Sequence, residues 1–489
     1  MDMKLKELID GENRILVQGS PDTEITGIAY DTRKIKPGNL FVCIVGTVTD
    51  GHAFIPKALE NGAAAIVVTK DVEVPEGVAV IRTTDDRRAL SDLSTIWFGH
   101  PAEKLITIGL TGTKGKTTTA FMIYDMLQKV GISCGLIGTV ENIIGDEHIP
   151  SEHSTPESYV VQEYLARMAE KGLKAVVMEV SSQGLKMQRV GGMVFDYGIF
   201  TNFGLDHIGK GEHENAEEYF ACKRMLFGMC RTGIFNADDA RADDMMAGQP
   251  CKKLLFGQRA DADYRMSGMT LTNEPGRLGV TYRISGKMNA VLKVQIPGDF
   301  NAYNSLAAAA VCKELGVSNE SIAAVLETIH VRGRVEPVPV SDAFTVMLDY
   351  AHNGMSLRSL LETLRRYEPK RLICMFGCGG NRSKDRRYEM GEISSRLADL
   401  TVVTSDNPRD EEPMDIIADI VSGVRKADGA YVTVPDRREA IRYVLEHALP
   451  GDCVIIAGKG HEDYQEIRGV KYHMDDREMI LEEAKRLFG

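Results

Sequence analysis

The run Leu105-Ile-Thr-Ile-Gly-Leu-Thr-Gly-Thr-Lys-Gly-Lys-Thr-Thr-Thr119 constrains the fold more than any other part of this 489-residue chain. Its first half is a short apolar stretch rich in β-branched residues, enough for one buried strand. Gly112 and Gly115 bracket a tight loop. Lys116-Thr117-Thr118 then opens a helical stretch that runs to about Val130, where Gly131 supplies a stop. Strand, glycine loop, Lys-Thr and helix together make a phosphate cradle. Glycines let backbone N–H groups approach phosphate oxygens, and the helix N-terminus adds the positive end of its dipole. Lys116 can neutralise the β- and γ-phosphates, and the hydroxyl of Thr117 or Thr118 can hold Mg2+. Leu110 stands where the pattern G-x-x-x-x-G-K-[ST] has its first glycine, so this is a shortened P-loop. A chance glycine-rich turn is the bland alternative; the full strand–loop–helix order predicts a bound NTP.

At about 150 residues per domain, the length predicts three domains. Lys and Arg number 58 and Asp and Glu 70, a net charge of −12. No basic block stands out, which argues against a nucleic-acid partner. The charged N-terminus lacks the apolar core of a signal peptide. No run approaches the roughly 18 apolar residues of a membrane span, so a soluble, cytoplasmic chain with no membrane insertion is expected. Nine cysteines are scattered among apolar neighbours, and only Cys374 and Cys378 are close. With no zinc-type pairing of motifs, reduced structural thiols are expected.

Residues 1–100 read as a first unit. Segments 25–33 and 37–46 read as two strands joined by a turn, followed by a helix ending near Gly62 and a strand over 63–69. Asp31, Thr32 and Arg33 with His52 could read a ligand, and a solvated turn explains them equally well. Beyond a linker at 99–103, apolar strands alternate with helices, the pattern of a mainly parallel sheet covered on both faces. Ligands of such sheets gather beyond the carboxyl ends of the strands. Glu179 ends the short strand after Lys174, and His207 follows the strand that closes at Asn202. At two sheet ends behind a P-loop, both are expected as ligands of a nucleotide-bound Mg2+. Residues 217–227 have helical period, and Tyr219, Lys223, Leu226 and Phe227 share one face. A lysine there is either a costly buried cation in need of a partner or a side chain whose tip reaches water. Asn301 or a neighbour is a plausible cap for the alanine-rich helix that follows. From about residue 333, four strands end in polar, glycine-bearing loops, as a second Rossmann-like domain would.

These stretches resemble the Mur ligases, the ATP-dependent enzymes that build the peptidoglycan stem peptide. The likeness rests on Thr111-Gly-Thr-Lys-Gly-Lys-Thr117, on Asn301 with Asn304, and on Asp349-Tyr-Ala-His352. Asp406-Asn-Pro-Arg409 with Gly458-Lys-Gly-His-Glu462 is similar to the member that adds meso-diaminopimelate to UDP-N-acetylmuramoyl-L-alanyl-D-glutamate. The resemblance implies an α/β chain of three domains. These are an N-terminal UDP-binding α/β domain over 1–100, a central P-loop ATPase domain with a mainly parallel sheet over 101–332, and a C-terminal Rossmann-like amino-acid-binding domain over 333–489. It implies that Gly112, Thr113, Lys114, Gly115, Lys116, Thr117 and Thr118 hold ATP phosphates, with Asn301, Arg334, Asp349 and His352 on the nucleotide. Thr117, Glu179 and His207 would bind Mg2+. Lys223 would be carbamylated by CO2 and face a second Mg2+. Ser154, Thr155, Pro156, Ser182 and Arg189 would line the UDP-sugar dipeptide site, with Asp31, Thr32, Arg33 and His52 on the uridine side. Arg382, Asp406, Asn407, Arg409, Gly458 and Glu462 would grip diaminopimelate.

Three positions depart from the family pattern: Lys114 in place of Asn, Gln183 in place of His, and His153-Ser154 in place of Asn-Thr. The implied chemistry is formation of an acyl phosphate from the D-glutamate γ-carboxylate and ATP, then attack by the diaminopimelate amine. Lys116, Glu179, Lys223 and His207 are its implied catalytic residues, and a monomer working in peptidoglycan synthesis, and so in cell shape and division, is expected. The rival readings are a ligase for L-lysine, a folylpolyglutamate-synthase-like ligase, and a nucleotide-binding regulator without catalysis.

Overall fold

The computed structural model describes residues 2–489 apart from 10, 12, 47, 48, 206, 207, 210, 211, 275 and 276. His207, expected above as a metal ligand, lies outside the described residues. The chain forms two compact units, Met1–Asp263 with Ala307–Val317, and Tyr264–Leu306 with Ser318–Gly489. Both are α/β, built on sheets that are mostly parallel.

In the first unit, a five-stranded sheet runs in the order Arg14–Gln18, Ala79–Thr83, Ala65–Val68, Asn39–Val42, Gly27–Ala29. Gly27–Ala29 and Asn39–Val42 pair in parallel, so they do not form a hairpin. Every residue of Asn39–Val42 is buried, which suits an interior parallel strand and not a half-wet hairpin arm. The crossover starts with a short helical turn, Thr32–Lys34, capped by the Asp31 carboxylate.

A second sheet follows in the order Glu147–Pro150, Glu141–Ile144, Cys134–Ile137, Ala175–Glu179, Ile106–Thr111, Phe195–Phe200, Cys230–Asn236, Lys252–Gly257. From Cys134–Ile137 to Lys252–Gly257 every neighbouring pair is parallel. The strand leading into the P-loop lies in the interior of this sheet, with the strands that precede Glu179 and Asn202 on either side. Their carboxyl ends therefore converge, as the alternation of strands and helices predicts. The first domain is fastened to the central one by Ser91 Oγ, which donates to the Gly191 carbonyl at 2.7 Å. Tyr159 packs against Phe98 at 5.2 Å between ring centroids, adding an aromatic contact across the same junction.

The second unit opens with three antiparallel strands, Tyr264–Glu274, Arg277–Gly286 and Ala290–Val294. It then builds a sheet ordered Glu336–Pro337, Thr345–Asp349, Cys453–Ala457, Leu372–Phe376, Leu400–Val403, Tyr431–Thr433. All but the first of these are parallel to their neighbours. Asn301 is not a cap: it is the third residue of the helix Asp299–Glu314, where its Nδ2 donates to the Pro297 carbonyl at 2.8 Å. The nine cysteines are free and buried. Among the described residues no helix is long and apolar enough to cross a membrane.

Candidate active site

The P-loop is held from three sides. Gly112 has φ +150°, and a Cβ there would lie 1.9 Å from Thr201 Oγ1, so only glycine fits. Gly115, at φ +85°, is the left-handed residue that starts the helix Lys116–Lys129. Asn202 ties the loop down: its carbonyl accepts Thr113 N–H (2.9 Å), its Oδ1 accepts Lys114 N–H (2.9 Å), and its Nδ2 donates to the Lys114 carbonyl (3.0 Å). Lys116 Nζ donates to the carbonyls of Gly112 (2.7 Å) and Thr113 (3.1 Å), which places the ammonium over the loop itself. Thr117 and Thr118 are buried in the first turn of the helix.

Glu179, 1% exposed, is the hub of the strand ends. Its carboxylate accepts Thr117 Oγ1–H (3.0 Å), Thr139 N–H (2.8 Å) and the Thr139 hydroxyl (3.0 Å). The Thr139 hydroxyl also lies 2.7 Å from Ser154 Oγ. Thr155 Oγ1 donates to the Glu179 carbonyl at 2.9 Å, and Arg189 Nη1 donates to the Thr155 carbonyl at 2.9 Å. Pro156 is buried beside them, and Ser182 Oγ lies 2.9 Å from His213 Nε2. Residues expected on ATP and on the dipeptide thus share one contiguous network through Glu179. Oxygen donors of this kind suit a hard cation, so Thr117 and Glu179 fit Mg2+.

Lys223, 1% exposed, does not reach water. It sits in the helix Ala216–Gly228, donates to the Gly112 carbonyl at 2.8 Å and lies 4.2 Å from the Tyr219 ring centroid. The carbonyl and the π-face offset part of the cost of burying an amine. Of the two readings open at the level of sequence, the partnered one holds.

In the first domain, Arg33 forms a fork with Asp31 at 2.7–3.1 Å and stays exposed. His52 is buried with both ring nitrogens engaged: Nε2 accepts Thr69 N–H at 3.1 Å, so Nδ1 donates to Asp50 at 2.6 Å. Lys70 and His52 hold the Asp50 carboxyl well below its ordinary 3.8. His52 therefore braces its own loop.

In the second unit, Asp349 accepts Val335 N–H and Ala351 N–H, each at 2.8 Å. Burial pushes its carboxyl above the ordinary 3.8, against the pull of Arg334 and these two donors. Arg334 lies 5.1 Å from the Tyr350 ring centroid, and its Nε is buried with no hydrogen-bond partner among the described residues. The Tyr350 ring also lies tilted against His352 (4.7 Å between centroids) and His461 (4.8 Å). An aromatic face with an unsatisfied guanidinium N–H fits a nucleotide. Asn304 Nδ2 donates to Asn301 Oδ1 at 2.9 Å, both buried.

Burial, reinforced by Arg334 and Arg332, lowers His461 to about 3 from 6.5. Above pH 6.5 the ring is neutral folded or unfolded. As the pH falls from 6.5 towards 3, the unfolded chain takes up a proton that the folded one refuses. Stability is then lost by up to about 1.4 kcal/mol per pH unit. His461→Gln should lose less thermal stability than the wild type between pH 7.5 and 5.5. Equal losses would contradict this.

The loop after Leu400–Val403 is locked to the loop after Cys453–Ala457. Asn407 Nδ2 donates to Glu462 at 2.9 Å, while its Oδ1 accepts Lys459 Nζ (3.3 Å) and Glu466 N–H (2.9 Å). Asp406 accepts Asn407 N–H at 2.6 Å, and a Cβ on Gly458 would lie 3.0 Å from Asp406. Arg409, at φ +52°, donates Nε to Glu466 (3.0 Å) and Nη1 to the Gly380 carbonyl (2.7 Å). Arg382 is exposed nearby in sequence to that carbonyl. Beneath the loops, Arg437 binds Asp476 through two 2.7 Å hydrogen bonds and donates to the carbonyls of Ser405 and Ala457. Sequence reasoning missed Thr139, Asn202, Lys459, Glu466 and this buried pair. Asn202 and Lys459 stood at strand ends beside chosen residues, which was signal enough. Arg437 and Asp476 had none.

A glycine loop pinned at the carboxyl end of a parallel sheet, its lysine over the loop and its Thr117 hydroxyl bonded to the buried Glu179, defines a P-loop nucleotide enzyme. Family models match in chain order: "Mur ligase family, catalytic domain" over 24–95, "Mur ligase middle domain" over 110–312, and "Mur ligase, glutamate ligase domain" over 333–460. The chain belongs to the Mur ligase family and is an ATP-dependent ligase. It is 40% identical over 481 residues to the UDP-N-acetylmuramoyl-L-alanyl-D-glutamate--2,6-diaminopimelate ligase of Caldanaerobacter subterraneus subsp. tengcongensis, covering 98% of each chain. It is 40% identical over 489 residues to ligase 1 of that name from Clostridium acetobutylicum, covering 99% of this chain and all of the other. A solved structure of a ligase of that name superposes with a TM-score of 0.74 at 28% identity, with both chains fully covered.

Proposed function

We propose that this chain joins meso-diaminopimelate to the D-glutamate γ-carboxylate of UDP-N-acetylmuramoyl-L-alanyl-D-glutamate in peptidoglycan synthesis. The observation that carries the amino-acid reading is that Asn407 holds Glu462 by a hydrogen bond while Glu466 and the Gly380 carbonyl hold Arg409. It offers a carboxylate for an amine and a guanidinium for a carboxylate, the two ends of an amino acid's side-chain terminus. The relatives' names support the same acceptor and amino acid.

In this reading residues 1–100 bind the UDP-sugar, 101–332 bind ATP, and 333–489 bind the amino acid. The γ-carboxylate attacks the γ-phosphate of ATP, giving an acyl phosphate and ADP. The diaminopimelate amine then attacks the acyl carbon and phosphate leaves. Lys116 stabilises charge that develops on the transferring phosphoryl oxygens. Thr117 and Glu179 would hold Mg2+, which supplies further charge stabilisation when bound. Arg334 and Tyr350, with Asn301, Asp349 and His352, would position the nucleotide, and Thr155 and Arg189 the dipeptide. The enzyme works as a cytoplasmic monomer without inserting in a membrane. The test is phosphate release from ATP with each acceptor and amino acid in turn. Release only with the UDP-dipeptide and diaminopimelate supports the reading; release with a folate acceptor overturns it.

Lys223 would carry a carbamate formed with CO2, which replaces a costly buried cation by a carboxylate beside a second Mg2+. Lys223→Ala should be nearly inactive, and a short carboxylate in the buffer should restore part of the rate. Full activity in the variant would leave the lysine a structural tie to Gly112.

A further inference from the structure

We propose that His213, Glu218 and Cys222 form a binding site for a soft divalent cation of the zinc class, distinct from the oxygen-donor set around Glu179. Glu218 and Cys222 are four residues apart on Ala216–Gly228, so they share one face of that helix. His213 lies just ahead of the Asn215 cap. One ligand atom from each of the three, a ring nitrogen, a carboxylate oxygen and Sγ, all lie within 4.8 Å of one another.

The histidine is oriented for this role. Its Nε2 lies 2.9 Å from Ser182 Oγ, and its Nδ1 lies 3.9 Å from Glu218 Oε2. An Nε2–H donated to the serine leaves the Nδ1 lone pair towards the glutamate, which is how outer partners orient metal-bound imidazoles. Cys222 and His213 are buried, while the Glu218 side chain is 29% exposed and gives an ion a way in. Lys186 (2.6 Å) and Glu214 N–H (2.6 Å) anchor that carboxylate without using all its lone pairs. Nitrogen, oxygen and sulfur from three side chains, with one position left to water, is a zinc-type set. The sulfur discriminates against Mg2+. On binding, the Cys222 thiol gives its proton to solvent as the sulfur–metal bond forms.

The ion would sit one residue from Lys223, on the helix that reaches the P-loop, and would engage the partner of Ser182. Occupancy is therefore expected to slow the ligase. The test is a titration of the full chain with CoCl2 in excess Mg2+, read by the thiolate-to-cobalt charge-transfer band in the near ultraviolet. The wild type should take up about one equivalent with that band, and ZnCl2 should abolish it. Cys222→Ala should lose the band while still binding ATP. Glu218→Gln should keep the band and bind at least about tenfold more weakly. No band in the wild type, or an undiminished band in Cys222→Ala, would overturn the proposal.

Discussion

Lys116→Ala is expected to lower kcat by about 10²–10³ while leaving the fold intact, since comparable electrostatic donors cost that much when removed. The lysine's two hydrogen bonds go to carbonyls of its own loop, at Gly112 and Thr113, and that loop has other supports. Asn202 makes three hydrogen bonds to it, and Lys223 makes a fourth at Gly112. On the proposed reading, removing Lys116 takes away a charge that serves the phosphates without releasing the cradle. Thermal unfolding of the variant should match the wild type within a few degrees, and the loss should appear in kcat more than in KM for the dipeptide. A variant with wild-type kcat would sink the assignment of this loop to ATP.

Selectivity for meso-diaminopimelate over lysine is expected to reach at least about a hundredfold in kcat/KM, with Arg409 expected to set it. Diaminopimelate carries one more carboxylate than lysine, and a guanidinium binds a carboxylate through two parallel hydrogen bonds. Arg409 is already oriented: Glu466 takes Nε and the Gly380 carbonyl takes Nη1. Nη2 and the second hydrogen of Nη1 form the edge left for a ligand. With lysine bound, that edge loses its partner. Sites built for a polar group reject analogues lacking it by up to roughly 10⁴–10⁵ when closed. Arg409 is partly exposed, at 22% of its side chain, so the lower range of buried hydrogen-bond penalties applies. Arg409→Ala should lose diaminopimelate activity and gain little with lysine. Arg409→Lys should not rescue it, because an ammonium cannot reproduce the fork. Equal use of both amino acids by the unmutated enzyme would refute this.

The parts legible in the sequence were those fixed by local chemistry. Ile106–Thr111 and Thr345–Asp349 are short, mainly apolar stretches with β-branched residues that suit buried strands, and the glycines of the P-loop announce a backbone that other residues cannot adopt. Lys223 was legible as an anomaly on an apolar face, but its partner was not. Gly112 lies far away in sequence, and only the sheet brings its carbonyl to the helix. The strands Tyr264–Glu274 and Arg277–Gly286 escaped because a register shift between Ser267 and Thr270 breaks the two-residue alternation that would mark them. Arg437 and Asp476, each looking like an ordinary surface charge, are 39 residues apart, and nothing local marks them as a buried pair. Arg409 was legible as a candidate ligand-binding arginine, whereas its dependence on Glu466 was not, because that glutamate belongs to a hairpin, Tyr464–Ile467 with Val470–His473.

Mass analysis of the product decides which amino acid is joined when the enzyme, ATP and UDP-N-acetylmuramoyl-L-alanyl-D-glutamate meet equal amounts of meso-diaminopimelate and lysine. The expected product is a UDP-tripeptide carrying diaminopimelate almost alone, with one ADP and one phosphate released for each molecule formed. A lysine-bearing product in comparable amount, or ATP turnover without any tripeptide, would contradict it.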